Sequence, residues 1–390
     1  MRILIVADTY YPHVNGASYF AQRLAEYLKA RGHEIAVIAP SENIHNTDKI
    51  VDGVRVFGIS SLPVFFYSGF RFSLPLIIKS AIKRAFEEFR PEIVHLQSHF
   101  TIDRAAFWIA RKKGLPMVAT NHFMPENLLP FLPLPKFIIN WIKELAWKDF
   151  ARIYKKVGVI TSPTETAAHL IDVKLGIPVK AISCGIDLKR FNPKNTGEHL
   201  RALYKIPNVP ILLYVGRLDK EKNLDLVIRA FRKSTDKTKV HLVIAGKGSE
   251  SDNLKKLTFD LGLKEKITFT GFVTNADLAS LYALSDCVIS PGTAELQSIS
   301  TMEGMATGKP IIAVNAMALP ELVKDGENGF LYEDGDENGL SEKIVRIFSD
   351  SAMMKKMGEK SLEFIQKHDI DKVMGEYENL YQFEISRSKI

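Results

Sequence analysis

The sequence predicts an α/β protein made of two doubly wound domains in tandem. Three observations carry this. Short apolar runs alternate with amphipathic helical stretches, and after Ile186–Pro193 the same alternation begins again. The runs are apolar on both faces, as strands of a covered parallel sheet are. The length of 390 residues exceeds two ordinary domain lengths.

Each element has its own signal. Ile3–Val6 is an uninterrupted aliphatic run and reads as a buried strand. Ala17–Arg31 has helical periodicity and closes at Gly32. Glu34–Ala39, Val54–Phe57, Ile93–Leu96, Met117–Thr120 and Gly158–Thr161 fit further strands, with helical stretches between most of them. Ile186–Pro193 is polar and proline-ended, and reads as a hinge. The second series runs through strand Ile211–Val215, helix Leu224–Arg232, strands Val240–Ala245 and Ile267–Phe269, helix Ala276–Leu284, and strands Cys287–Ser290 and Pro310–Val314. Ser351–Ile390 is helical with no sheet partner of its own. The expected division is 1–190, 191–368, and a helical tail 369–390 that is free to return onto the first domain. Doubly wound sheets bind ligands at the carboxyl ends of their strands, so the expected site is a cleft between the two domains.

Composition removes several classes. Hydrophobic residues make up 46% and charged residues 25%, an ordinary globular mix. No run of about 18 apolar residues occurs that could span a membrane. The start, MRILIVAD, goes straight into a strand pattern instead of a secretory leader. Cys184 and Cys287 are far apart and fit free thiols in a reducing cytoplasm. Charge is uneven: residues 1–190 carry 25 Lys+Arg against 16 Asp+Glu, and the remainder 27 against 29. The basic half points to an anionic partner, whether nucleic acid, anionic lipid or a phosphorylated substrate.

Three loops could carry chemistry. The first runs from Asp8 to Ser18, after strand one, and ends at a helix start. Gly16 lets the backbone approach a ligand there, and the free N–H groups suit a phosphate. The second, Gly216-Arg-Leu-Asp-Lys-Glu-Lys-Asn223, follows the first strand of the second series. Arg217 offers a two-oxygen fork and Lys222 a point charge, the cations a diphosphate leaving group needs. The third runs from Pro291 to Pro310. It places Glu295 in a loop, Glu303 in the helix that follows, and the amides of Leu296, Gln297, Ser298 and Ile299 at the helix start. Two carboxylates so spaced can accept hydrogen bonds from sugar hydroxyls and from ribose hydroxyls.

Glu295-x7-Glu303, followed by Gly-Met-Ala and Gly-Lys-Pro, resembles the E-x7-E signature of retaining glycosyltransferases of the GT-B fold, in glycosyltransferase family 4. GRLDKEKN is similar to that family's G-R-L-x-x-E-K-N segment, AGKGSE to its G-x-G turn, and ELVKDGENGFLYEDGD to its E-x-x-x-x-G-x-N-G-F stretch. The resemblance runs from Met1 to about Ile370. It implies two Rossmann-like domains facing across a cleft. It also implies roles: Gly16, Arg217 and Lys222 on the diphosphate, Glu303 on the ribose, Glu295 on the donor sugar. His122, in Thr-Asn-His-Phe, matches the family's cleft histidine near that sugar. Ser298 stands where the family often has glycine, and is expected to make the loop less permissive. Lipid-glucosylating members often carry Thr-Gln-Gly at this place, and Gln297 leans that way. Ala17 replaces a second valine or glycine-type residue. No metal is required. Asp334-Gly-Asp336 lies outside the donor loops and reads as a turn, and His95 and His99 are spaced i, i+4 on a strand-to-loop segment, where that spacing aligns nothing.

The acceptor has its own signals, all in the basic half. As a helix, Pro135–Val157 lines up Ile138, Ile139, Ile142, Leu145, Ala146, Phe150 and Ile153, with Trp141 and Trp147 beyond the two borders. Lys143, Lys148, Arg152 and Lys155 lie further round. Such a helix either rests in a membrane surface or covers the sheet with a solvated basic face. Leu62–Phe72, which holds Tyr67 and Arg71, has five aromatics in eleven residues outside any strand pattern. Asn127–Pro135 is apolar and proline-broken. HFMPENLLP and the VNGAS loop resemble diacylglycerol glucosyltransferases.

The resulting expectation is a cytoplasmic enzyme, peripheral on the inner face of the cell membrane. It would transfer a hexose, glucose favoured, from a nucleotide diphosphate sugar, UDP-glucose favoured, to diacylglycerol with retention. The alternatives are a polysaccharide, phosphatidylinositol or small soluble acceptor, or an epimerase on the same two-domain fold. A nucleic-acid partner is disfavoured, because aromatic-interleaved basic strands are missing. The choice of base turns on Phe272, Val273 and Ser290.

Overall fold

The computed structural model describes residues 1–12, 15–64, 71–124 and 135–388. The chain forms two compact units, Met1–Gly185 together with Asp371–Ile390, and Ile186–Ile370.

The first unit contains strands β1 (Arg2–Val6), β2 (Glu34–Pro40), β3 (Thr47–Val51), β4 (Val54–Ile59), β5 (Leu62–Pro63), β6 (Arg71–Phe72), β7 (Ile93–Leu96), β8 (Met117–Thr120), β9 (Val159–Ser162) and β10 (Lys180–Ala181). Its helices are α1 (Gly16–Ala30), α2 (Pro75–Phe89), α3 (Thr101–Lys112), α4 (Lys136–Tyr154) and α5 (Glu165–Leu175). The main sheet has the order β10-β9-β8-β7-β1-β2-β4-β3. It is parallel except at its β3 edge. Ile3, Leu4, Ile5 and Val6 on the central strand are fully buried, which is why this run has no polar alternation. Strand order reverses between β1 and β7, so the carboxyl ends of those two strands frame a crevice.

The second unit contains α6 (His199–Tyr204), β11 (Ile211–Val215), α7 (Leu224–Ser234), β12 (His241–Ala245), α8 (Ser251–Asp260), β13 (Ile267–Gly271), α9 (Asn275–Leu284), β14 (Cys287–Ser290) and α10 (Ile299–Ala306). It continues with β15 (Ile311–Val314), α11 (Leu319–Leu322), β16 (Gly329–Tyr332), α12 (Glu337–Phe348) and α13 (Ser351–Ile365). Its sheet is parallel throughout, in the order β13-β12-β11-β14-β15-β16. Here the order reverses between β11 and β14. The family-like loops GRLDKEKN and PGTAELQS leave the carboxyl ends of those two strands.

The chain then returns to the first unit in α14 (Ile370–Arg387). Tyr377 and Tyr381 of α14 are fully buried. His95 Nδ1 lies 2.6 Å from the Tyr381 hydroxyl, and His95 Nε2 lies 2.7 Å from Thr120 Oγ1. Thr120 and Thr161 meet at 2.7 Å, with the Tyr377 hydroxyl 3.4 Å from Thr161. Glu378 pairs with Arg31 at 2.7 Å and with His33 at 2.9 Å. The sequence shows this helix but not these partners, because a polar group's mate lies some 280 residues away in the chain.

Three departures from the sequence reading have simple causes. β3 is an exposed antiparallel edge whose Asp48 and Lys49 hide the strand signal, as charged edge residues do. β16 is short and begins at Gly329 against Ile311. Leu62–Phe72, expected outside any strand, begins and ends in the two-residue strands β5 and β6, which pair antiparallel.

Candidate functional site

The second unit's crevice is built by three loops that hold one another. Gly246, after β12, has φ +146°, and a Cβ there would lie 1.8 Å from the Gly216 carbonyl oxygen. Glycine therefore lets the AGKGSE turn press against the GRLDKEKN loop. Leu218 N–H donates to Lys247 O at 3.0 Å, and Ser249 donates through N–H and Oγ to Asp219 Oδ1, both at 2.9 Å. The Tyr214 hydroxyl donates to Arg217 O at 2.7 Å.

The cations of this crevice are paired. Arg217 donates to Asp219 Oδ2 at 2.5 Å and to Glu221 Oε1 at 2.7 Å. Lys222 Nζ donates to Glu295 Oε1 at 2.6 Å, and both side chains are about one-fifth exposed (19% and 20%). Burial would lower the lysine's pKa, yet the Glu295 carboxylate outweighs it and holds the ammonium above its ordinary value. Glu295 and Lys222, 73 residues apart in sequence, are thus one charge pair. A Cβ on Gly292 would sit 2.9 Å from Glu295 Oε1 and 3.3 Å from Lys222 Cδ, so the missing side chain makes room for that pair.

The Glu295 loop ends at the start of α10. Leu296, Gln297 and Ser298 are buried, and Ile299 begins the helix. Ser298 has φ −87° and caps α10, its Oγ accepting from Thr301 N–H at 3.3 Å. Serine is expected to make this loop less permissive, yet the position needs no left-handed backbone, and the hydroxyl supplies a cap. Glu303 is half-buried on α10. The buried Tyr282 of α9 has its phenol pushed well above its ordinary pKa, by burial first and then by the Glu303 carboxylate. Phe272 is 52% exposed after β13, while Val273 and Ser290 are buried.

In the first unit, Gly16 opens α1 behind Asn15, whose side chain accepts from Ser18 N–H at 2.9 Å. Asn15 Nδ2 donates to Thr9 Oγ1 at 2.7 Å, tying the helix start to the loop after β1. Across the crevice of this unit, Asp8 meets the loop after β7. Ser98 Oγ donates to Asp8 Oδ2 at 2.6 Å and lies 2.9 Å from Asp103 Oδ2. Burial, then the Asp8 charge, hold the Asp103 carboxyl well above its ordinary value. His122 follows β8, half-buried, with Nε2 2.8 Å from Gln97 Oε1 and its ring 4.7 Å from the Phe20 ring. Burial lowers its pKa to about 3, so it is neutral.

The acceptor candidates divide. Arg71 donates to Ser61 Oγ at 2.7 Å and to Ser61 O at 2.9 Å, holding β6 to the chain before β5. Tyr67, and most of Asn127–Pro135, lie outside the described residues. On α4 the buried residues are Trp147, Phe150, Ile153 and Tyr154. Phe150 and Ile153 belong to the stripe read from the sequence, whose Ile138, Ile139, Ile142 and Ala146 are half-buried and whose Leu145 is exposed. Trp147, expected beyond the stripe's border, is a core residue and not a surface contact. Aromatic packing turns the helix this way. Phe150 and Tyr154 stack at 3.9 Å, Trp147 meets Phe150 at 5.4 Å, and His99 meets Phe150 at 4.8 Å. Phe137 (73%), Trp141 (64%) and Leu145 (44%) are left exposed at successive i, i+4 positions. Exposed Lys148 and Arg152 continue that line, and Lys143 is half-buried.

Asp336 caps α12, accepting from Gly339 N–H at 2.9 Å. Among the described residues, no group of three or more His, Cys, Asp or Glu could hold a metal ion, and no helix is long and apolar enough to cross a membrane. Asp219 and Glu221 lie inside a motif the sequence singles out, though their grip on Arg217 does not show there. Nothing in the sequence marks Gln97.

Comparison with known proteins gives two family matches in series. The family described as Glycosyltransferase Family 4 matches residues 14–190, and that described as Glycosyl transferases group 1 matches residues 197–364. An alpha-monoglucosyldiacylglycerol synthase of Streptococcus pneumoniae is 28% identical over 378 residues, covering 90% of this chain and 83% of that protein. A GDP-mannose-dependent alpha-mannosyltransferase of Mycolicibacterium smegmatis is 28% identical over 354 residues, covering 90% and 89%. Among solved structures, sucrose-phosphate synthase from Thermosynechococcus elongatus superposes with a TM-score of 0.82 at 18% identity, over 99% of this chain and all of that one.

Proposed function

Because the chain belongs to the GT-B glycosyltransferases, a family 4 domain followed by a group 1 domain, we propose that it glucosylates diacylglycerol from UDP-glucose at a membrane surface, with retention at the anomeric carbon. The observation that carries the donor half is the Lys222–Glu295 pair at the β11/β14 crevice. It sets a diphosphate cation against a carboxylate suited to sugar hydroxyls. In the proposed reaction the bond from the anomeric carbon to the β-phosphate oxygen breaks. The acceptor oxygen bonds to that carbon from the same face, and its proton passes to the departing phosphate. Arg217, Lys222 and the amides of Leu296 to Ile299 stabilise the charge that grows on the diphosphate. Glu303 is assigned to the ribose, and Gly16 at the start of α1 to the diphosphate. His122 sits by the donor sugar. No protein nucleophile takes part.

Support for the lipid half comes from similarity to the monoglucosyldiacylglycerol synthase and from α4. Phe137, Trp141 and Leu145 form an exposed apolar line that runs into Lys148 and Arg152. A helix lying in an anionic leaflet buries such a line and places its cations at the headgroups. Similarity of the same degree to the GDP-mannose-dependent enzyme supports a second reading, mannosyl transfer from GDP-mannose.

The test is release of free nucleotide from UDP-glucose, with and without diacylglycerol in mixed vesicles containing anionic lipid. Release that depends on diacylglycerol is expected. Release from GDP-mannose but not UDP-glucose would replace the donor. Release indifferent to the lipid would overturn the acceptor.

A further inference from the structure

The amide of Gln97 is placed with more care than a core residue needs. Gln97 directly follows β7 and is 3% exposed. Its backbone N–H is held at 2.9 Å both from Val6 O and from Asp103 Oδ1. Asp103 also accepts from Ser98, which reaches on to Asp8, so the buried carboxyl pair fixes the loop from which the side chain projects. Gln97 Oε1 lies 2.8 Å from His122 Nε2, while Gln97 Nε2 is buried without a hydrogen-bond partner. A glutamine kept for interior satisfaction would not leave its two N–H donors empty, because an unmet buried donor is destabilising. Among the described residues, the one hydrogen bond its side chain makes is to the histidine.

An amide oxygen can only accept. With Oε1 on Nε2, the ring hydrogen is on Nε2 and Nδ1 keeps its lone pair. Phe20 of α1 sets the ring plane from one side, and Phe20 is backed by Tyr377 of α14 at 5.5 Å. Of the titratable groups nearby, His95 on β7 interacts with the ring, Tyr377 on α14 lies behind Phe20, and Asp103 meets the Gln97 N–H.

We propose that Gln97 is the positioning residue of His122: it fixes the Nε2–H tautomer, so that Nδ1 meets a sugar hydroxyl as a hydrogen-bond acceptor. In this arrangement His122 binds and orients; it moves no proton. The contact with the sugar rests on the proposed function, but the tautomer does not.

The test uses the full chain with ¹⁵N-labelled histidine, the His122 signals being identified by their loss in His122→Gln. In the parent protein, Nε2 should show the protonated nitrogen shift and Nδ1 the unprotonated one from pH 5 to 8, without titration. Gln97→Leu should mix the tautomers and lower kcat about tenfold with little change in donor KM, the pattern of a lost orienting contact. Gln97→Glu keeps an acceptor at the same place. It should preserve Nε2–H, raise the His122 pKa by at least about one unit, and add an acid limb to the rate profile as Nδ1 gains its proton. A parent protein with hydrogen on Nδ1, the result of a reversed amide, would overturn the proposal. So would Gln97→Leu with unchanged His122 shifts. The shifts need no substrate, so they report on Gln97 even if UDP-glucose or diacylglycerol proves wrong; loss of lipid-dependent release with the expected shifts would remove only the functional reading.

Discussion

Lys222 and Glu295 are each other's partners at the head of the β11/β14 crevice. Each is mostly withdrawn from water, and a buried charge without a partner is far costlier than a paired one. A diphosphate arriving at Lys222 and hydroxyls arriving at Glu295 therefore exchange one set of partners for another. Gly292 controls the room for this. Gly292→Ala puts a methyl group 2.9 Å from Glu295 Oε1, against the far ends of flexible side chains, so the fold should survive. The reacting geometry should suffer: turnover is expected to fall about ten- to hundredfold with a melting temperature nearly unchanged. Steady-state rates beside a thermal melt check this, and unaltered turnover would mean that the pair does not need that space. At this scale the sequence was partly legible. Glu295, Glu303, Arg217 and Lys222 could be named from spacing and resemblance. That Asp219 and Glu221 grip Arg217 could not, since three adjacent charges in a loop have no direction until the backbone gives them one.

Helix α4 shows what periodicity can and cannot tell. Its existence, its approximate ends and most of its inward stripe were readable, but the width of the buried face was not. Phe150 and Ile153 of the stripe are buried as the periodicity suggests, and Trp147 and Tyr154 join them, where large rings fill the space against His99. Arg104 of α3 also holds Asp149 of α4, fixing the helix about its axis. This orientation leaves Phe137, Trp141 and Leu145 outside. If these meet a bilayer, replacing Phe137 and Trp141 together by glutamate should reduce binding to anionic vesicles at least tenfold, since each large apolar side chain contributes about 1.5–3 kcal/mol on burial. Activity on detergent-dispersed acceptor should stay near that of the parent. Sedimentation with vesicles gives the first number, and equal binding by the double variant would take α4 away from the membrane. β3 and β16 escaped notice for a related reason: edge and very short strands carry little hydrophobic pattern of their own.

The whole molecule repeats one plan, a parallel sheet whose order reverses beside its first strand, with the chemistry-bearing loops at that reversal. This much was legible, because buried parallel strands announce themselves. The polar interior of the first unit was not. His95, His99 and His122 are kept neutral by burial, with pKa values lowered to about 3, 4 and 3. Their folded values lie below the unfolded value of about 6.5, so the unfolded chain binds more protons and stability falls as pH drops below 6.5. Asp103 works the other way, because its raised value keeps a proton that the unfolded chain releases. The histidines outnumber the raised carboxyl, so the net effect is a loss of stability as pH falls from about 6.5 towards 4.5. Trp108, Trp141 and Trp147 are the three tryptophans of the chain, and all lie in the first unit. Urea unfolding followed by their fluorescence should therefore show a midpoint well below its pH 7.5 value at pH 5; a constant midpoint would mean that these histidines are charged in the fold. The return of α14 also gives the protein an order of birth. Residues 186–370 form a continuous stretch, whereas the first unit lacks Tyr377 and Tyr381, and so the partners of His95 and Thr161, until that whole stretch has been made. On the ribosome the half made first has to wait, unfinished, for the half made second.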